Sequence, residues 1–154
     1  MDIRNLKEQV ITRLKGSITL DLALQLMEQV QRFAEEKRKA CVIAVCDGHG
    51  NPVAVHAMDD AFLVSYKVAQ GKAYSAVAVK MSTRELSRLV QPGETFYGLD
   101  KLEGGNIVAF GGGVPLYIGD TIVGGLGVSG GTGEEDDEIA RFGAEAFRKL
   151  TGQA

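Results

Sequence analysis

Two side chains of one predicted strand have the chemistry to ligate an iron ion. His56 and Met58 lie two residues apart in the apolar segment 53–58, so both point to the same face of a strand. Imidazole and thioether together ligate the haem iron of c-type cytochromes. The C-x-x-C-H attachment motif is absent from the sequence, so any haem would be bound non-covalently. The alternative is a half-buried sheet face on which His56 is hydrogen-bonded. His49, in a glycine-rich turn, is expected to be exposed.

A lysine and an aspartate near that strand form a second candidate site. Asp59 follows the strand directly, and Lys72 lies in a predicted helix among the small residues of segment 69–73. A lysine on such a face must either extend to solvent or pair with a carboxylate. We therefore expect a structural ion pair of Lys72 with Asp59 or Asp47. The alternative is a cation at a pocket mouth that binds a ligand carboxylate.

Glycines and their neighbours in the last third of the chain form the expected opposite wall of a ligand cleft. The members of this wall are Glu103, Gly104, Gly105, Gly111, Gly112 and Pro115. The first three end a long predicted loop at 91–105, and a loop of that length in a compact domain is often functional. Glycines there would let a flat ligand approach backbone N–H groups. The same turns can equally form contacts between subunits.

Two glycine-rich motifs resemble nucleotide-binding sequences, but their context argues against that function. The G-x-G-x-x-G pattern at 125–130 has apolar residues that continue a strand through it, and no further strand follows. We interpret it as a strand that runs close to another backbone. Segment 129–133 precedes a helix without the lysine of a phosphate-binding loop, and the acidic run at 134–138 would repel an anion. We expect a helix cap there, with a hard-cation site on the acidic run as the alternative.

Composition limits the class of protein. A chain of 154 residues fits one domain, and the net charge of −3 argues against nucleic acid as the main partner. No apolar run approaches the roughly 20 residues of a membrane span, and the first residues lack the apolar core of a signal peptide. We therefore expect a cytoplasmic protein with no membrane partner. Cys41 and Cys46 have opposite parity on one strand, so we expect two buried free thiols rather than a disulfide.

Hydrophobic periodicity predicts the elements that must position these residues. The expected helices span 20–39, 62–80 and 82–90, with a last helix that starts after Thr132, and the expected strands span 41–46, 53–58, 106–110, 114–118 and 121–128. Short connections between neighbouring strands predict an antiparallel sheet of five strands covered by helices, an α/β (α+β) fold of order α-β-β-α-α-β-β-β-α. Residues 1–18 are expected to form an arm or short helix before a single domain at 19–151.

The motifs together resemble the GlcG/HbpS-like family, which also supplies the C-terminal domain of PduO-type corrinoid adenosyltransferases. The matching landmarks are Val45-Cys46-Asp47 with Gly50, Met58-Asp59-Asp60-Ala61, Gly71-Lys72-Ala73, Gly111-Gly112-Gly113-Val114-Pro115-Leu116, Ile122-Val123-Gly124, Gly127-Val128-Ser129-Gly130-Gly131 and Glu135-Asp136-Asp137. The resemblance covers roughly residues 18–150. It implies a profilin-like fold and a homo-oligomer, a tetramer or larger, and some family members bind haem.

The resemblance adds an expected role. Family members occur in glycolate, propanediol and glycerol operons. PduO proteins carry adenosyltransferase activity on a separate N-terminal domain, so that activity is not expected here. We expect a small-ligand-binding accessory protein that holds haem or a cobalamin-type corrinoid. Two alternatives stay open: an enzyme acting on a small carboxylate or aldehyde with Lys72 and Asp59, and a structural oligomeric subunit without ligand. No catalytic residue is assigned, and the metal site is left unassigned.

Overall fold

The protein folds as a mixed α+β domain with one antiparallel sheet. The structure is a computed structural model and describes residues 2–153. The elements, in chain order, are α1 (Ile3–Lys15), α2 (Leu20–Glu36), β1 (Val42–Asp47), β2 (Pro52–Ala57), α3 (Ser65–Val79), α4 (Thr83–Leu89), two short 3-10 turns (Leu99–Lys101 and Glu103–Gly105), β3 (Gly113–Ile118), β4 (Thr121–Ser129) and α5 (Gly133–Leu150). No helix within residues 2–153 has both the length and the apolar character needed to cross a membrane.

The described residues form a sheet of four strands in the order β2-β1-β4-β3, with every neighbouring pair antiparallel. The five-strand prediction was wrong, because segment 106–110 is irregular and lies over α3 instead of joining the sheet. Its backbone finds a side-chain partner there. The Ser75 hydroxyl accepts from the Val108 N–H at 2.8 Å and donates to the Gly71 carbonyl of its own helix at 2.6 Å.

Helices cover both faces of the sheet. Ile43 and Val45 of β1 belong to the main core cluster, which also contains buried residues of α2 and α5. Val42 and Ala44 point to the other face, where they pack with Ala69 and other small residues of α3. The alternation along β1 therefore divides the interior into an α2/α5 side and an α3 side.

Glycines of β4 set the distance between α3 and the sheet. A Cβ atom at Gly125 or Gly127 would overlap the carbonyl oxygens of Ala73 and Ala69 on α3. The interpretation of the 125–130 pattern as a strand close to another backbone is confirmed. Such close contact requires residues without a side chain, and it brings the whole of α3 down onto the sheet.

The helix ends follow their local chemistry. The Thr132 hydroxyl accepts from the Glu135 N–H at 3.1 Å and the Glu135 carboxylate accepts from the Thr132 N–H at 3.0 Å, which confirms the predicted cap of α5. The second helix ends at Glu36, three residues earlier than predicted, and Arg38 then adopts a left-handed φ of 57°. The third helix begins at Ser65 rather than at residue 62, which leaves 62–64 in an exposed turn.

Candidate functional site

Lys72 is fully buried, and its ammonium is held by two oxygens. The helix α3 carries it against β4 and the start of α5, where Nζ donates to the Val128 carbonyl and to Asp136 Oδ2, both at 2.8 Å. The ring of Phe110 lies 4.8 Å from the same nitrogen, within the range of a cation–π contact. Asp136 also accepts from the Gly131 N–H at 2.8 Å, so the pair ties three elements together.

The carboxylate that pairs with Lys72 is therefore Asp136, and the expected partners Asp59 and Asp47 were wrong. Asp59 is exposed at the end of β2, and Asp47 instead accepts from backbone N–H groups of its own turn. Burial lowers the pKa of Lys72, and the hydrogen bond and charge of Asp136 oppose that effect. A lysine with its ammonium bonded in this way is not a free base or electrophile, so the geometry does not support the Lys72–Asp59 enzyme alternative.

His56 and Met58 lie on the other face of the sheet. His56 pairs across the ladder with Ile43 and so shares its α2/α5 side, and Met58 packs against the same core cluster. The Met58 sulfur accepts from the Cys41 N–H at 3.4 Å, and His56 Nδ1 is buried without a partner among residues 2–153. The sheet therefore separates this pair from Lys72, which lies on the α3 side.

Two pockets lie along α3 and meet at Asn106, and we call them together the α3 groove. The smaller, about 250 Å³, contains Gly50, Ala73 and Tyr74 in its lining. The larger, about 460 Å³, is lined by Lys67, Val68, Gly71, Glu103, Gly104, Gly105, Asn106 and Val108. The groove thus brings together the predicted residues at 103–105, but it adds residues of α3 that the sequence analysis did not select.

A hydrogen bond anchors the loop that forms one wall of the α3 groove. The Tyr74 hydroxyl donates to Glu103 Oε2 at 2.6 Å, which raises the pKa of Tyr74. A Cβ atom at Gly104 or Gly105 would meet no atom within 4 Å, so the wall is open at this point. A ligand could therefore approach the backbone there, as the sequence analysis expected of these glycines.

Exposed apolar side chains lie close in sequence to residues that line the groove. Leu63 is 94% exposed and Phe62 is 68% exposed in the turn before α3, and Leu102 precedes Glu103 with more than half of its surface exposed. Exposed apolar patches on a protein of this kind mark ligand grooves or contacts with other chains. The lysine of the groove, Lys67, has no ion-pair partner among residues 2–153.

The other predicted glycines have structural neighbours. A Cβ atom at Gly112 would lie 2.7 Å from Lys72 Nζ, and its φ of 127° favours glycine. Pro115 pairs with Gly125 within the sheet. Gly111 lines a separate pocket of about 470 Å³ with Arg84 and other residues of α4 and α5. The expected common cleft is thus divided in the protomer.

The two cysteines and His49 lie where the sequence analysis expected them. Cys41 and Cys46 are buried and free, as expected, and burial raises their pKa values to about 11 and about 12. His49 is exposed on the β1–β2 turn, also as expected. Within residues 2–153 no three His, Cys, Asp or Glu side chains converge on a metal site. The hard-cation alternative needs several such ligands at one point, so the described residues do not support it.

Comparison with known proteins reveals clear similarity over most of the chain. The family model Haem degrading protein HbpS-like matches residues 18–145. Among curated proteins, Corrinoid adenosyltransferase PduO of Salmonella typhimurium is 40% identical over 143 residues, which cover 90% of this chain and 43% of that protein. An uncharacterized 15.0 kDa protein from the dhaT-dhaS intergenic region of Citrobacter freundii is 37% identical, over 88% of this chain and 95% of that protein.

A solved structure of a relative contains haem. The PduOC:heme complex is 38% identical, covers 84% of this chain and 94% of its own, and superposes with a TM-score of 0.81. The chain spans about half the length of the PduO relatives it matches, at 43% and 48% of their sequences. The similarity therefore concerns one part of those longer proteins.

Proposed function

The chain belongs to the HbpS-like family, and from that premise we propose that it binds haem non-covalently in the α3 groove. The observation that carries the proposal is the haem complex of a relative with the same fold and 38% identity. A bound haem would supply the iron chemistry, and the residues of the α3 groove would supply its binding surface.

The residues of the α3 groove fit a flat apolar ligand with a charged edge. Val68 and Val108 give its larger pocket an apolar side, and Gly104 and Gly105 leave room against the backbone. A pocket of about 460 Å³ is within the range usual for small-molecule sites, roughly 300–1,000 Å³. The unpaired ammonium of Lys67 is the group that would bind a propionate, the role that the sequence analysis considered for the buried Lys72.

His49 is the imidazole that we assign to the iron. It is exposed, and it directly precedes Gly50, which lines the smaller pocket of the groove. His56 lies on the α2/α5 side of the sheet, so its ring would have to cross the sheet to reach the groove. The assignment of His56 and Met58 as a ligand pair is therefore replaced by His49 in this proposal.

The exposed apolar residues that flank groove residues in the sequence support assembly into a homo-oligomer, and the family resemblance extends this to a tetramer or larger. Phe62, Leu63 and Leu102 would be covered by another copy, which would also complete the enclosure of an open groove. The relatives' names connect the fold to corrinoid chemistry and to the dhaT-dhaS region, so we extend the proposal to an accessory role in diol, glycerol or glycolate use. A cobalamin-type corrinoid is the competing ligand.

Titration of the purified full chain with hemin tests the proposal. We expect a saturable, red-shifted Soret band in the wild type, and the same titration with cobalamin measures the competing ligand. Val68→Trp fills the larger pocket and should weaken hemin binding more than about tenfold, a change of about 1.4 kcal/mol. Lys67→Met should weaken it about two- to fivefold, as expected for an exposed ion pair. Lys149→Met, an exposed lysine of α5, is the matched control and should bind as the wild type does.

Histidine variants, followed by the absorption spectrum of the bound haem, test the proposed iron ligand. His49→Ala should remove the low-spin or His-ligated signature of the bound haem, whereas His56→Ala should keep it. No saturable spectral change with hemin would refute haem binding. Binding that is unaffected by Val68→Trp would refute the α3 groove as the site, and a signature lost only in His56→Ala would refute the iron ligand.

A further inference from the structure

Two pockets separate from the α3 groove share a pair of arginines. Arg84 and Arg88 lie one turn apart on α4, and both line a pocket of about 470 Å³ and a second pocket of about 320 Å³. The second pocket also contains Arg141 and Asp137 of α5. We call these four residues the arginine cleft. Neither pocket includes a residue of the α3 groove.

Most of the donors in the arginine cleft are free for a ligand. Arg84 Nη1 and Arg141 Nε approach the same oxygen, Asp137 Oδ2, at 3.3 and 2.8 Å. A guanidinium has five N–H donors, so each of these arginines keeps most of its donors unused. Their side chains are 52% and 59% exposed, and Arg88 has no ion-pair partner among residues 2–153. Three guanidinium groups at one site suit a carboxylate or phosphate.

Asp137 provides a second and independent indication of a ligand. Its side chain is only 3% exposed, and its other oxygen, Oδ1, is buried without a donor in the described chain. Buried polar atoms are nearly always hydrogen-bonded, so this oxygen calls for a donor from water or from a bound molecule. A carboxylate or a fully ionised phosphate offers no donor, but an anion that also has a hydroxyl group offers one beside its charge.

The surroundings limit the charge and shape of such a ligand. Glu134 lines the larger pocket and Glu85 lines the smaller one, and their negative charges would disfavour a highly charged polyanion. Phe110 lines the larger pocket with about half of its surface exposed, so a short carbon chain could pack against its ring. The cleft is therefore suited to a small molecule with one anionic group.

We propose that the arginine cleft binds a small hydroxylated organic anion, in which the anionic group contacts Arg84 and Arg88 and a hydroxyl donates to Asp137 Oδ1 after a small shift of that buried side chain, which lines the smaller pocket. The anionic group is a carboxylate or a phosphate, the two chemistries that arginines recognise with paired hydrogen bonds. The proposal does not depend on haem binding, since the two sites share no lining residue.

Isothermal titration of the full chain with four probes tests the proposal. The probes are acetate, glycolate, methyl phosphate and glycerol 3-phosphate, which separate the anionic group from the hydroxyl. We expect saturable binding of at least one hydroxylated probe, and about tenfold or greater preference over its partner without the hydroxyl. The better of the two hydroxylated probes identifies the anionic group as carboxylate or phosphate.

Variants locate the binding. Arg88→Gln should reduce the affinity about tenfold or more, as should Arg84→Gln, while Arg13→Gln on the exposed face of α1 should leave it unchanged. Asp137→Ala removes both acceptor oxygens and should remove the preference for the hydroxylated probe, a ratio of affinities that a general loss of stability would not change.

Several results would overturn the inference. No saturable binding of any probe would do so, as would binding that survives Arg84→Gln and Arg88→Gln together. Self-association that these arginine substitutions abolish, without binding of any probe, would show instead that the cleft is a contact between copies of the chain. Equal affinity for hydroxylated and plain probes would refute the role of Asp137.

Discussion

Replacing Lys72 by methionine tests the structural role of the buried ion pair. Methionine can fill the space of the lysine stem but removes the ammonium, so Asp136, only 2% exposed, would keep its charge with backbone N–H donors alone. Removing one partner of a buried pair costs about 3–5 kcal/mol. For a domain whose total stability is about 5–15 kcal/mol, this is a large fraction.

The expected change is measured by urea unfolding followed by circular dichroism. With a loss of about 4 kcal/mol and an m-value of about 2 kcal/mol/M, the midpoint of Lys72→Met should fall by about 2 M. The double variant Lys72→Met/Asp136→Asn removes both charges, and the amide oxygen that it introduces could still accept from the Gly131 N–H. We expect this variant to recover about 2 kcal/mol relative to the sum of the two single changes, because no buried charge is left unpaired.

Two outcomes would refute this reasoning. A midpoint of Lys72→Met within about 0.5 M of the wild type would show that the ammonium is not needed to compensate Asp136. Strictly additive single changes would show that the two side chains do not interact energetically, despite the 2.8 Å distance between Nζ and Oδ2. A hemin titration of the same variant is informative too, since the α3 groove does not include Lys72 and binding should persist in the folded protein.

Further predictions concern packing and pH. Gly127→Ala should lower the free energy of unfolding by about 1–3 kcal/mol, because its Cβ atom would overlap the Ala69 carbonyl, whereas Gly133→Ala, whose nearest neighbour would be 3.4 Å away, should be neutral or slightly stabilising in the same urea experiment. The pKa values of Cys41 and Cys46 are raised by burial to about 11 and about 12 from 9.0. Their contribution is therefore complete below pH 9 and lost as pH rises through the folded values, so Cys41→Ala/Cys46→Ala should flatten the decline of stability above pH 9. In the native protein both thiols should be unreactive towards Ellman's reagent, and a fast reaction without denaturant would contradict their burial.

The local signals of the sequence were sufficient for most elements. The β1–β2 hairpin, the cap at Thr132 and the dense glycines of β4 each depend on neighbouring residues, and the structure contains all three. The strand predicted at 106–110 failed because a short apolar run fits a strand or an irregular segment packed on a helix equally well. In the structure the Ser75 hydroxyl, more than 30 residues away in sequence, accepts from the Val108 N–H and holds this segment on α3.

The candidate sites depended on long-range contacts that no spacing reveals. The sequence indicated that Lys72 needed a carboxylate, but Asp136 lies 64 residues away and looked like part of an acidic first turn. Arg84 and Arg88 resemble an ordinary exposed helix face until α5 brings Arg141 and Asp137 against them. The one available signal was the i, i+4 spacing of the two arginines, which also fits a solvated surface.

A single structural cause connects these observations. The glycines of β4 let α3 lie so close to the sheet that Lys72 cannot extend to solvent, and its ammonium must find partners in the interior. Burial lowers the pKa of this lysine below 10.5, so over the interval between the folded and unfolded values the unfolded chain holds a proton that the folded chain does not, and stability rises with pH there. Holding Lys72 protonated in the interior therefore costs stability below that interval. The role of the ion pair is positional: it fixes the start of α5 against α3 and so holds the neighbouring Asp137 where it contacts Arg84 and Arg141.

If the arginine cleft binds its anion in the way we propose, substitutions at Lys72 should weaken that binding although Lys72 does not contact the ligand, while hemin binding in the α3 groove persists.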